Sequence, residues 1–427
     1  MQITNPYRVG PWVVGNEFYS RGGLLQDIRS GPVDSLWIIG NRRVGKTSLL
    51  RAVEHQAANS PENLPLFWDL QGDTSEAQLI ESFLEAVEDA QWHELDRRWS
   101  TLVMPETVRS ISKALRHVAA HARHHHCRLL LLCDEIEGLN QIGQSEPHVL
   151  SGLRRVMQHN PMLRAVLAST RRLSRLYAIQ SLADTSLFLE GFEPRYLTSF
   201  DDDTANQVIC RTQSDQPLRV DEALMSQLRH FSGNHPLILQ KICSQLFDPS
   251  SNALHPFNPT EFVLDDQLSG TFQQDFDSLT PDEARLLLAI NTQSLNQDEI
   301  FRRFPDISTP TLRRILHDLS RLGFLCHAGE TFQAGNIPLG QWLATGPTHN
   351  AGQGGVTNHM TRQVAQERVT ALQRQLLASY RRLGHLEVQQ AKMGNNTPPE
   401  IRMEIEDYRE QISEIESELA ELGQKLE

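Results

Sequence analysis

Apolar residues along this chain fall into two spacings. Short unbroken runs stand at 36–40 (LWIIG), 64–70 (LPLFWDL), 128–133 (RLLLLC), 164–168 (RAVLA) and 187–189 (LFL). Runs of this length, bounded by Gly, Pro or polar residues, predict strands buried on both faces. Between them apolar positions lie three and four apart, as in Val108, Ile111, Leu115 and Val118, which predicts helices. Strand and helix in alternation predict an α/β core, a parallel sheet covered by helices, over residues 1–198.

Beyond residue 200 the strand signal fades. The stretches 201–213, 221–231 and 236–247 predict helices parted by Pro, Gly and Asn, a small helical lid over 199–278. Thr280-Pro281-Asp282-Glu283 is a helix start with Thr280 as the cap, and Ser308-Thr309-Pro310 is another. Leu312, Ile315, Leu316, Leu319 and Leu322 follow, then Gly323-Phe324-Leu325 and a hairpin at Gly329, which predicts a winged helix-turn-helix over 279–345. Residues 346–362 hold Gly, Asn, Thr and His with little to bury and predict a flexible linker. In 363–427, Ile401, Ile405, Tyr408, Ile412, Ile415, Leu419, Leu422 and Leu426 keep heptad spacing, as do Val369, Leu372, Leu376, Tyr380, Leu383 and Leu386. With a turn at Gly394–Pro399 these predict an α-helical hairpin or coiled coil, and both an internal and an intermolecular seam fit the spacing.

Composition narrows the functional classes. At 427 residues the chain exceeds one ordinary core, and 39% hydrophobic with 22% charged residues excludes a disordered class. The formal net charge of −13 repels polyanions, so DNA is not the expected partner. Residues 401–427 carry three basic and nine acidic side chains, so nearly half of that charge lies in the second half of the predicted hairpin. Five scattered cysteines without a Cys-x-x-Cys pair suit reduced thiols and a cytoplasmic location. The first residues lack a leader pattern, and no apolar run approaches the ~18 residues of a membrane span, so no membrane is expected.

Gly40-Asn41-Arg42-Arg43-Val44-Gly45-Lys46-Thr47, followed by Ser48, fits G-x-x-x-x-G-K-[ST] between a predicted strand and a predicted helix. Its glycines let backbone N–H groups wrap phosphates at a helix start. Lys46 is then expected to reach the outer phosphates of ATP or ADP, and Thr47 to bind Mg²⁺. The strand at 129–133 ends in Asp134-Glu135, where Asp134 would join the Mg²⁺ shell and Glu135 would orient or deprotonate the attacking water. Ser169-Thr170-Arg171-Arg172 closes the fourth predicted strand, with Thr170 or Arg171 as the candidate γ-phosphate sensor. Arg154 and Arg155 are read as solvated. So is the helix end bearing His121, His124, His125 and His126, since consecutive histidines project in different directions.

The combination resembles the STAND NTPases, AAA+-like ATPases that act as nucleotide-dependent switches, in the bacterial group of conflict and defence signalling. The resemblance covers residues 5–345. Asn5-Pro6-Tyr7 and Phe18-Tyr19-Ser20-Arg21 look like that family's N-terminal segment, although Ser20 and Gly22 depart from its Gly-Arg-Glu pattern, so only Arg21 carries over to the nucleotide pocket. Gly233-Asn234-His235-Pro236 is similar to the family's G-x-P motif, whose proline packs near the base; residue chemistry alone reads it as an ordinary helix start. The resemblance implies a slow ATPase whose ATP state forms a homo-oligomer or recruits an effector protein through residues 363–427. The rival readings are an initiator-type ATPase binding DNA through the winged helix, with Arg313, Arg314 and Arg321, and a scaffold whose nucleotide site is structural.

Overall fold

A computed structural model describes residues 4–10, 12–19, 21–92, 95–170 and 188–347, with isolated positions between 379 and 412. Strands β1 (Ser35–Ile39), β2 (Asn63–Asp69), β3 (Arg128–Asp134), β4 (Leu163–Ser169) and β5 (Glu193–Tyr196) form a parallel sheet in the order β2-β3-β4-β1-β5. The first four are buried almost throughout because helices cover both faces, which is why they read as unbroken apolar runs. Leu36, Ile38, Leu130, Leu132, Val166 and Ala168 pack with α1 (Gly22–Ser30) and α2 (Lys46–Ala57). The alternate residues Trp37, Ile39, Leu129, Leu131, Ala165 and Leu167 join the core under α3 (Glu76–Trp92), α4 (Ile111–His124), α5 (Leu139–Ser145) and α6 (Pro147–His159). Each buried Leu, Ile or Val among them stabilises the fold by roughly 1.5–3 kcal/mol relative to exposure.

The fifth strand is not where the apolar pattern puts it. Residue 187 lies outside the described residues, and Phe188 and Leu189 sit in a turn with their side chains plugging the core. The strand itself is Glu193-Pro194-Arg195-Tyr196. Among the described residues it pairs only with β1, and an edge position tolerates proline and asks for little apolar surface.

Three helices follow, α7 (Asp202–Cys210), α8 (Glu222–Ser232) and α9 (Pro236–Leu246). Asp201 and Asp221 cap the first two by accepting from the Thr204 and Leu224 N–H groups. A short hairpin, β6 (Phe247–Asp248) with β7 (Ala253–Leu254), and α10 (Asp266–Phe276) come next, neither of them anticipated from periodicity. Then α11 (Pro281–Thr292) starts on a capping box of Thr280 and Glu283, and α12 (Gln297–Arg303) on one of Asn296 and Glu299. Strand β8 (Leu295–Asn296), α13 (Thr309–Arg321), capped by Ser308, strands β9 (Leu325–Ala328) and β10 (Thr331–Ala334), and α14 (Ile337–Ala344) complete the series. The three strands form one antiparallel sheet in the order β8-β10-β9.

Residues 352–427 make a unit of their own. The linker from residue 348 and nearly all of the predicted hairpin lie outside the described residues. Among its described positions Ser379, Leu383, Ile405, Glu406, Tyr408, Arg409 and Ile412 are helical, and Ile405 and Ile412, one heptad apart, are buried.

Candidate functional site

Beyond β1 the chain bonds once more to its neighbour, the Gly40 N–H donating to the Ser169 carbonyl, and then curls through residues 40–47. Arg43 (φ 60°) and Gly45 (φ 102°) hold left-handed backbone there, and the curl closes on the first turn of α2. Such a curl turns backbone N–H groups into a cradle for an anion. Lys46 is 4% exposed, and its Nζ donates to the carbonyls of Gly40 (3.1 Å) and Asn41 (3.2 Å). Thr47 Oγ1 donates to Asp134 Oδ2 at 2.5 Å, joining two motifs 87 residues apart. Asp134 is nearly enclosed at the end of β3, and burial pushes its carboxyl up to about 6. The charges of Glu135 and Asp69 push the same way, against the Thr47 hydrogen bond and the Lys46 ammonium. Glu135 follows in left-handed backbone (φ 49°), its N–H on Asp134 Oδ1 at 3.0 Å.

These residues floor a cavity of about 640 Å³. One side is the N-terminal segment, fastened where Arg43 donates to the Gly10 carbonyl (2.8 Å) and the Val13 N–H to Ser48 Oγ (3.1 Å). Phe18, Tyr19, Val208, Pro236 and Leu237 supply its apolar surface. The opposite side is one face of α10, with Asp266, Gln267, Gly270, Thr271 and Gln274. Arg21 lines the cavity as a structural hub. Its guanidinium donates to the Thr198, Ser199 and Val44 carbonyls and lies 4.6 Å from the Phe200 ring centroid, and burial lowers its pKa to about 10. Pro236 is the first residue of α9, capped by His235. Burial, with the Arg21 charge nearby, holds His235 down to about 4.

The oxygens of Thr47 and Asp134 form a hard-donor pair of the kind Mg²⁺ prefers, so the residues present fit that ion. Gly40, Asn41, Arg42, Val44 and Ser48 stand in the loop or the first turn after it, as the spacing requires. Thr170 is buried, but its N–H (2.5 Å) and Oγ1 (2.6 Å) both donate to Glu137 Oε1, and it is not among the cavity-lining residues. Arg171 and Ser20 lie outside the described residues. Arg154 is engaged within the chain by Gln158 and Glu190, while Arg155 is exposed.

Three residues escaped sequence reasoning. Glu137 holds Thr170 and is itself pushed up by burial and by Glu135; nothing in its spacing from Asp134-Glu135 distinguishes it from surface charge. Arg211 (φ 49°) is 3% exposed, with its Cζ 5.7 Å from the Tyr7 ring centroid and 5.5 Å from that of Tyr19. Asp275 accepts from the Arg42 N–H at 3.2 Å. No local pattern announces the last two.

Residues 33–177 match the family model of the AAA domain, a span that runs from just before β1 through the candidate loop, Asp134, Glu135 and Thr170. Among solved structures, the Walker-type ATPase of Pyrococcus abyssi is 15% identical with a TM-score of 0.55, covering 79% of this chain and 99% of that one. The ORC2 protein of Aeropyrum pernix, solved as ADPNP and ADP complexes, is 11% identical with a TM-score of 0.48, covering 79% and 95%. Cdc6p of Pyrobaculum aerophilum is 13% identical with a TM-score of 0.39, covering 79% and 96%. No curated protein matches the chain. The fold is that of a P-loop, AAA+-like NTPase. Among the described residues no helix is long and apolar enough to cross a membrane.

Proposed function

We propose that the chain is a regulatory ATPase of the STAND type, a switch that binds ATP and ADP, hydrolyses ATP slowly, and in its ATP state self-assembles or recruits an effector through residues 363–427. The observation that carries the reading is the 2.5 Å bond between Thr47 and Asp134, which sets two phosphate-chemistry motifs on the floor of one cavity. Thr47 and Asp134 would hold Mg²⁺, which when bound would neutralise phosphate charge. Lys46 exchanges its two loop carbonyls for phosphate oxygens, and the loop N–H groups hold the inner phosphates. Glu135 takes the proton of the attacking water or orients it. Tyr19, Val208 and Pro236 offer the base an apolar slot, and Arg21 keeps the N-terminal segment, the loop and Phe200 in one register.

The elements from α11 to α14, with their three-stranded sheet, are read as a winged helix-turn-helix packed for regulation. The place of such a switch is bacterial conflict or defence signalling. The test is the mass distribution of full-length Glu135→Gln protein with ADP and with ATP, beside Lys46→Ala. A larger species formed only with ATP, and never by the lysine variant, supports the switch; identical mass and identical partner binding with both nucleotides sinks it.

A second reading, an initiator-type ATPase that binds DNA, is favoured by one observation: Arg302, Arg303, Arg313 and Arg314 are all exposed on α12 and α13. Duplex binding that weakens steeply with salt would move the assignment there, and none at ~50 mM salt would remove it.

A further inference from the structure

Asp275 stands at the penultimate position of α10, 6% exposed, with its carboxylate on the Arg42 N–H. The preceding loop residue, Asn41, is held twice. Its carbonyl accepts from Lys46 Nζ, and its side-chain Nδ2 donates to the Leu322 carbonyl at 2.9 Å, at the end of α13. A negative group from outside the sheet therefore sits on a backbone donor of the phosphate-binding loop, one residue from the carbonyl that the Lys46 ammonium contacts.

Lys46 serves the outer phosphates in a loop of this pattern, so its end marks where a terminal phosphate comes to rest. An N–H bonded to a carboxylate is not free for a phosphate oxygen. Two negative groups brought to the same loop also repel. Neither effect weighs heavily on a diphosphate, which ends one group earlier.

We propose that Asp275 is a specificity-determining residue of this site. In the form described here it makes the site prefer a nucleoside diphosphate, and a triphosphate binds by displacing it. The inference rests on the nucleotide-site reading above and deepens it.

The experiment is calorimetric titration of the full chain with ADP and with the slowly hydrolysed analogue ATPγS, at one fixed Mg²⁺ concentration, for wild type, Asp275→Asn and Asp275→Ala. Asparagine keeps the size and the acceptor and removes the charge. The expected result is a wild-type preference for ADP, with the analogue binding about tenfold tighter in Asp275→Asn while ADP changes less than about twofold. A ratio that both variants leave unchanged overturns the proposal. Should neither variant fold, judged by thermal unfolding, the wild-type titration decides: preference for ADP supports it and preference for ATPγS overturns it. Wild type that binds neither nucleotide overturns the nucleotide-site reading, and this assignment falls with it.

Discussion

The floor of the cavity and its wall are held by different means. The floor, residues 40–47 with Asp134 and Glu135, hangs from the carboxyl ends of β1 and β3, whose side chains are almost fully enclosed. The wall is drawn from the described residues of the N-terminal segment, among them Trp12, Phe18, Tyr19 and Arg21, the start of α9 and one face of α10, none of these part of the sheet. Among the described residues, single hydrogen bonds tie them to the floor, Arg43 to Gly10, Arg21 to Val44 and Arg42 to Asp275, and Leu322, at the end of α13, adds a further one from Asn41. A floor set in a packed sheet is fixed, because a dense core transmits little local change without a large cost. A wall tied by a few bonds, each worth about 1 kcal/mol net, can be moved by what a ligand contributes. On the proposed reading, chemistry belongs to the first and regulation to the second.

The largest expected effect breaks the floor. Lys46→Ala removes the one cation buried in the loop and leaves the carbonyls of Gly40 and Asn41 without that donor. Affinity for ADP and for ATPγS is expected to fall about a thousandfold, near 4 kcal/mol, because a charge-assisted contact from a buried ammonium to phosphate is lost. Titration calorimetry checks it. An affinity within about threefold of wild type would mean that the wall, rather than the loop, holds the phosphates.

The same division decides what was legible in the sequence. The floor could be read because its requirements are local: glycine where φ is positive, a lysine and a hydroxyl at fixed spacing, a buried strand ending in acids. Helix starts at Thr280 and Ser308 were visible for the same reason, each cap being made within three residues. Strand β5 was missed because an edge strand paired on one side needs no apolar run, while Phe188 and Leu189 look like a strand and are buried in a turn. Asp275 was missed because its partner is 233 residues away, and Arg211 because its meaning lies in two aromatic rings from the N-terminal segment. Such contacts exist only once the chain is folded.

A smaller effect should separate wall from floor. Gly233 ends α8 with φ 55°, and a Cβ there would stand 2.2 Å from the Gly335 carbonyl oxygen, a backbone atom that cannot rotate aside. Gly233→Ala is expected to cost about 3 kcal/mol, from left-handed strain together with overpacking between α8 and the residues leading into α14. Urea unfolding measures it. Because Gly233 lies three residues before Pro236, ADP affinity should also fall a few-fold, about 1 kcal/mol, while the Lys46 and Asp134 contacts stay in place. Wild-type stability in this variant would show that the two segments do not meet as described.

The smallest effect is read in pH. His235 caps α9 at the edge of the wall, and its Nδ1 is enclosed with no hydrogen-bond partner among the described residues. Burial, with the Arg21 charge nearby, sets its pKa at about 4, against about 6.5 for the unfolded chain. The folded value is the lower one, so the unfolded chain takes up the proton first. The resulting penalty is absent above pH 6.5, grows as pH falls, and is complete below pH 4. The gap is worth at most about 3 kcal/mol, and about 2 once the partial exposure of the residue is allowed for. His235→Gln keeps a polar side chain of similar size at the N-cap position and cannot titrate. Between pH 7 and 4.5 wild type should therefore lose about 2 kcal/mol more stability in urea unfolding than the variant. Parallel losses would place His235 in water, and with it the start of α9 that carries Pro236 to the cavity.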